Sequence, residues 1–218
     1  FQSFEAPPRD VWSTGDGREW KLESRQTPVI HTDLPMNLTF KDRMWMMGGW
    51  HNGRLPGHSA SNQVWSSEDG SQWRQETAKA PWSARLAGGL VEHKGRMWVL
   101  GGTENYYFGD ASSLKNDVWS SVDGKEWKLE TANAPWAPRL WFSAAVYRGR
   151  IWVLGGWSKE KNNFGDVWHS ADGRDWQRLE TPGCWKARHE HSAFVWRDRL
   201  WVAGGHAQPL SNEIWSLS

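Results

Sequence analysis

The sequence predicts an all-β fold assembled from one repeated four-strand unit, and three observations predict it. An acid or amide followed by Val or Ile and then Trp recurs at Asp10-Val11-Trp12, Gln63-Val64-Trp65, Asp117-Val118-Trp119, Asp166-Val167-Trp168 and Glu213-Ile214-Trp215. Asp16-Gly17, Asp69-Gly70, Asp123-Gly124 and Asp172-Gly173 are each followed, three residues after the Gly, by Trp20, Trp73, Trp127 or Trp176. A glycine pair closes each copy, at Gly48-Gly49, Gly101-Gly102, Gly155-Gly156 and Gly204-Gly205. Copies lie 47 to 54 residues apart, a period that belongs to propellers and solenoids.

The copy from Asp117 to Gly156 shows the elements most clearly. Val118 to Ser121 is β-branched and aromatic, and Asp123-Gly124 ends it with a hairpin signal, because both turn positions tolerate positive φ. Glu126 to Glu130 alternates polar and apolar, as a half-exposed strand should. Pro135 and Pro138 break the ladder, since proline lacks the donor that a central strand needs. Phe142 to Tyr147 is small and apolar and suits a crowded inner strand. Arg148-Gly149 then turns the chain into Ile151-Trp152-Val153-Leu154, a buried run stopped by the glycine pair. With the inner strand called a, one copy reads c, d, a, b. No window carries helical periodicity of useful length.

The glycine pair closing strand b, the aromatic two or three residues before it, the Trp near strand d and Pro138-Arg139 ahead of the inner strand together resemble the kelch repeat of β-propellers. The resemblance runs from about Asp10 to Ser216. It implies a single propeller domain over 1–218, with repeats at about 10–62, 63–116, 117–165 and 166–212 and a closing strand at 213–217. Similar bacterial kelch proteins have six or so blades, whereas four a–b pairs are present here, so the expected ring is shorter than usual or truncated. There are five c strands for four d strands, and the surplus c strand has no evident place. The start has neither Met nor a signal pattern, which reads as a processed, trimmed or excised end.

Composition fits this picture. The net charge is +1 with acids and bases interspersed, so no basic footprint points to nucleic acid, and no apolar run approaches the length of a membrane helix. One cysteine, Cys184, excludes an internal disulfide. Sixteen of the 20 Trp fall in four repeat columns, and packing between blades is their economical role.

Antiparallel order puts the tight a–b and c–d turns on one face and the long b–c and d–a loops on the other, where function on a rigid scaffold concentrates. Trp50, Trp141 and Trp157 lie outside the repeat columns and belong to that long-loop face, whereas Trp196 sits near a tight turn and reads as structural. His51, His58, His189, His191 and His206 share the loop bias. Two roles fit these residues: stacking on a sugar ring with polar neighbours to its hydroxyls, or covering the junction of loop and blade. Arg85, Arg139 and Arg188 share one column, which favours a structural role, although arginines at this place in kelch proteins also rim the channel.

The functional reading is a binding module whose long-loop face takes a carbohydrate, with Trp50, Trp141 and Trp157 as stacking surfaces. His51, Tyr106, His189, Glu190, His191 and His206 would be its polar contacts. A protein-interaction module is one alternative. The other is a sugar mutarotase or epimerase-like enzyme, because the chain is similar to sialic-acid mutarotase proteins and Glu190 beside His189 or His191 offers acid–base groups. A non-enzyme is the favoured reading. Galactose oxidase shares the propeller, but its copper and Tyr–Cys constellation has no match among Cys184, Tyr106, Tyr107 and Tyr147. Ser121 to Trp127 looks like the Asp-box of sialidases, a structural turn. Arg188-His189-Glu190-His191 has zinc-type ligands, yet two His one residue apart on a strand would leave Glu190 pointing away. Asp42 with Asp33 and Glu104 with Asp110 are possible acid–base pairs of unknown separation. No tightly held metal, nucleotide or redox cofactor is expected. Expected partners are a small-molecule or glycan ligand or a protein, with no nucleic acid or membrane, and homo-oligomers through open blade edges fit as well. The resemblance favours a periplasmic or secreted location.

Overall fold

The structure is a computed structural model that describes residues 8–105, 111–181 and 184–218. The chain divides into two compact units, 1–86 and 87–218. No described residue lies in an α-helix, and none of the described elements is a helix long and apolar enough to cross a membrane.

The first unit contains β1 (Val11–Ser13), β2 (Lys21–Ser24), β3 (Met36–Phe40), β4 (Arg43–Met47), β5 (Trp50–His51), β6 (Ser59–Ala60), β7 (Val64–Ser67) and β8 (Trp73–Thr77). Its main sheet has the order β3-β4-β7-β8, which is a, b, c, d as expected. β1 and β2 form a separate c–d hairpin, and β5 with β6 a short ribbon in the b–c loop.

The second unit contains β9 (Gly89–His93), β10 (Arg96–Thr103), β11 (Leu114–Ser121), β12 (Lys128–Thr131), β13 (Ser143–Tyr147), β14 (Arg150–Leu154) and β15 (Trp157–Ser158). It continues with β16 (Asn162–Asn163), β17 (Val167–Ser170), β18 (Trp176–Arg178), β19 (Ser192–Trp196), β20 (Arg199–Ala203) and β21 (Ile214–Leu217). Two four-stranded sheets, β9-β10-β11-β12 and β13-β14-β17-β18, are followed by a three-stranded one, β19-β20-β21. All pairings are antiparallel. The surplus c strand therefore has a place: β1 stays with β2, and β21 completes its ladder on β20.

The inner strands β9, β13 and β19 lie side by side, and the sheets face one another across apolar clusters. One cluster holds Val91, Trp98, Leu100, Trp136, Ile151 and Trp176, the other Tyr147, Trp152, Leu154, Val167, Leu200 and Val202. The column residues Trp98, Trp136, Trp152 and Trp176 thus pack between sheets, where each large ring removes apolar area from water, whereas Trp12, Trp20 and Trp215 of the same columns are exposed. The glycine pairs permit that approach: Gly156 has φ of 111°, and a Cβ there would sit 2.8 Å from the Cβ of Phe142. One expectation fails in the long copy. Gly101-Gly102 does not stop β10, which bulges there and runs on to pair Gly102 with Lys115 and Thr103 with Leu114.

The arginine column is structural. Arg139 is fully buried, donates to both carboxylate oxygens of Asp166 at 2.6 and 3.0 Å and to the carbonyl of Gly155 at 2.9 Å. Arg188 repeats this with the Gly204 carbonyl and Glu213, both at 2.7 Å. Each arginine ties the start of an inner strand to strands b and c of its own sheet, with all three guanidinium nitrogens donating. Trp196 departs from expectation. Its column mate Tyr147 is buried against the next sheet, whereas Trp196 is 52% exposed with Arg197 laid over its ring.

Candidate functional site

The loop that leads into each inner strand takes the same unusual backbone in every copy. Leu34, Ala87, Trp141 and Glu190 have φ between 51 and 54°, a region that non-glycine residues rarely occupy. In the second unit these residues form a run of main-chain bonds, with the Trp141 N–H donating to the Ala87 carbonyl at 3.4 Å and the Glu190 N–H to the Trp141 carbonyl at 2.9 Å. Trp141 is thereby held in left-handed backbone at the mouth of the inner strands, a conformation that belongs to the repeat, since its counterparts share it.

Two neighbouring positions bring the candidate residues together. The residue after the Arg and the residue after the glycine pair form two-way backbone bridges, Leu140 with Trp157 and His189 with His206. His189 therefore stands where Leu140 stands in the preceding copy, and it carries an imidazole into an aromatic nest. Its ring stacks on Trp141 at 5.2 Å and on His206 at 4.8 Å, with Trp157 at 6.5 Å. Trp141 and Trp157 are 5.7 Å apart. An open groove of about 360 Å³ runs beside this nest. Trp157, His189 and His206 line it together with Lys161, Asn162, Asn163, Lys186 and Gln208, while Trp141 backs His189 from behind.

Asn163 sets the chemistry of His189. Its amide nitrogen donates to the His206 carbonyl at 2.8 Å and the Ala187 carbonyl at 3.3 Å, so its oxygen is left to accept from Nδ1 of His189 at 2.6 Å. The proton then sits on Nδ1, and Nε2 keeps its lone pair. Burial first, and His206 second, pull the His189 pKa down to about 4, so the ring is neutral at pH 7. The groove thus presents an aromatic surface beside a fixed acceptor.

Glu190 is exposed, with one carboxylate oxygen 3.7 Å from Nε2 of His189, beyond hydrogen-bond reach. His191 points elsewhere. It is buried against the glycine pairs, with its ring carbon Cε1 2.9 Å from where a Cβ on Gly155 would stand, and neither ring nitrogen has a partner. Phe142 occupies the same column over Gly101, which makes His191 a substitute for a core aromatic rather than a ligand contact.

In the first unit Trp50 is 4% exposed, its indole N–H donates to the Gly53 carbonyl at 2.6 Å and its ring stacks on His58 at 5.2 Å. It packs its own loop and offers no open stacking face. His51 meets the main-chain carbonyl of Ile30 at 3.1 Å through Nδ1 and lies edge-on to His31. Tyr106 and Asp110 lie outside the described residues, so the pairing of Glu104 with Asp110 does too. Asp33 and Asp42 stand at opposite ends of β3. Among the described residues no cluster of three His, Cys, Asp or Glu could hold a metal.

Sequence reasoning missed Asn163, Lys161, Lys186 and Gln208, none of which falls in a repeat column. The Leu140-to-His189 exchange was visible by aligning the copies.

No protein-family model matches the chain, and no curated protein does. Among solved structures it is similar to one titled "Structure of YjhT", with a TM-score of 0.69 and 16% identity over 86% of this chain. The fold is propeller-like. This chain spans 63% of that structure's length, and a likeness at such identity speaks for the fold alone.

Proposed function

We propose that this propeller-like chain is a binding module and that the groove beside Trp157, His189 and His206 takes a carbohydrate. The observation that carries the reading is the pairing of ring faces with an imidazole whose tautomer Asn163 sets. A sugar needs both: its C–H face is apolar and stacks on an aromatic ring, and its hydroxyls need defined donors and acceptors. Nε2 of His189 accepts from one hydroxyl, and the amides of Asn162 and Gln208 with the ammonium of Lys161 complete a polar rim. Concavity favours a small ligand over a protein, whose interface calls for a broader patch.

A glycan-array screen followed by calorimetry on any hit tests this. Trp157→Ala should weaken binding by on the order of 1 kcal/mol or more while the fold is retained. Asn163→Ala should also weaken it by releasing His189. An array with no hit, or affinity indifferent to Trp157, His206 and Asn163, would leave the proposal without support. The proximity of Glu190 to His189 favours one second reading, a sugar-anomer exchange with the carboxylate as acid or base. Exchange NMR on a bound sugar checks it, since Glu190→Gln would abolish any acceleration while leaving affinity in place.

A further inference from the structure

Main-chain acceptors around the aromatic nest are already engaged. The His206 carbonyl accepts from the His189 N–H at 3.3 Å and from the Asn163 amide at 2.8 Å. The Ala187 carbonyl accepts from the same amide at 3.3 Å, and the Trp157 carbonyl from the Leu140 N–H at 3.1 Å. The Gln208 carbonyl accepts from the Lys186 ammonium. Oδ1 of Asn163 is taken by Nδ1 of His189 at 2.6 Å.

Nε2 of His189 differs from these atoms. The ring's proton sits on Nδ1, and burial keeps the ring neutral at pH 7 with its pKa pulled to about 4, so Nε2 is a bare lone pair. An oxygen of the Glu190 carboxylate lies 3.7 Å from it, too far for a direct bond and itself an acceptor. Two acceptors thus stand side by side, and neither can satisfy the other. Stacking on Trp141 at 5.2 Å and on His206 at 4.8 Å keeps the ring from turning its lone pair away. Leu140 fills the equivalent position in the preceding copy, so packing alone does not call for an imidazole here.

We propose that this pair of acceptors makes His189 a specificity filter: the point beside Nε2 and Glu190 admits a ligand group that carries a hydrogen, a free hydroxyl or an amine, and rejects carboxylate, phosphate, sulfate and O-alkylated oxygens. Resting on the carbohydrate reading of the groove, the filter deepens it by naming the feature of a sugar that is recognised. A hydroxyl gives its hydrogen to Nε2, and its oxygen stays free to accept from the groove's donors, Lys161 or Asn162. An oxygen without a hydrogen meets two lone-pair-bearing atoms, gives up its water and gains no bond in return. A site built to hydrogen-bond a ligand group discriminates sharply against analogues that lack it.

The tautomer is tested without any sugar. Nitrogen NMR of protein labelled in its histidines should show His189 with the proton on Nδ1 and none on Nε2 at pH 7, and Asn163→Ala should move proton occupancy towards Nε2. The other histidine signals report whether that variant keeps its fold. A proton on Nε2 in the parent, or no change in the variant, would overturn the proposal. The methyl glycosides of glucose, galactose and mannose, each with its monodeoxyfluoro and mono-O-methyl derivatives, are the binding probes. Fluorine and methoxy both keep an acceptor and lose the hydrogen, so at one ring position both should weaken binding about tenfold or more. His189→Phe, which keeps a stacking ring, should remove that difference. Fluorine tolerated at every position, or an intolerance that survives in His189→Phe, would overturn the filter and leave the carbohydrate reading standing. Failure of every parent glycoside to bind would take both.

Discussion

Gly156 and Gly149 both have positive φ, yet they stand in different surroundings. A Cβ on Gly156 would lie 2.8 Å from the Phe142 Cβ and 3.0 Å from the Leu140 carbonyl, whereas one on Gly149 would meet nothing within 4 Å. Gly149→Ala bears only the left-handed backbone penalty, about 1–2 kcal/mol. Gly156→Ala adds a clash with main chain and should cost clearly more, about 3 kcal/mol or above. Urea unfolding of the two variants checks the contrast, and equal costs would mean that the inner strand and the glycine pair are not in close contact.

The Asp-Gly hairpin is an element that carries its own hydrogen-bond network. Oδ1 of Asp123 accepts from the N–H groups of Lys125 and Glu126 at 2.9 and 3.0 Å, and Oγ of Ser121 accepts from those of Asp123 and Gly124 at 3.2 and 2.8 Å. Asp16, Asp69 and Asp172 repeat the arrangement. The side chain replaces the partners that the turning backbone lacks. Asp123→Ala should therefore destabilise by on the order of 1 kcal/mol, and Asp123→Asn, which keeps an acceptor oxygen, should restore most of it. Chemical denaturation measures both. Asp69, held down to about 2 by the N–H of Gln72 and by Ser71, marks where such turns fail: the contribution is complete above the ordinary pKa of 3.8 and is lost as pH falls towards 2.

Across the molecule, stability answers to buried histidines at milder acidity. His31, His189 and His191 are each pulled to about 4, chiefly by burial. The unfolded chain binds protons near the ordinary 6.5 and the folded chain does not, so stability is complete above that value and falls as pH drops from about 6.5 to about 4. His191 offers the cleanest test because its ring nitrogens have no partner and its column mate is Phe142. His191→Phe should raise the melting temperature at pH 5 relative to the parent, with a smaller difference at pH 8. A variant whose pH dependence matches the parent would remove His191 from the account.

The strand order and the antiparallel register within each copy were legible in the sequence because a repeat reports itself several times. Five Trp in the c strands and four glycine pairs leave one consistent antiparallel order, and the arginine column could be read as structural by repetition alone. Contacts between copies were not legible. The aromatic nest depends on a backbone bridge between His189 and His206 and on a loop asparagine that selects a tautomer. Trp50 and Trp157 share a column, yet one packs under His58 and the other lines a groove, since loop length and neighbours differ where the repeat does not constrain them. The sequence by itself determined that Trp50 and Trp157 stand at equivalent positions after a glycine pair, and only the tertiary structure decided which of them is covered. Local patterns encode which faces of a strand are apolar, but which of those faces is covered is a property of the surfaces that meet it.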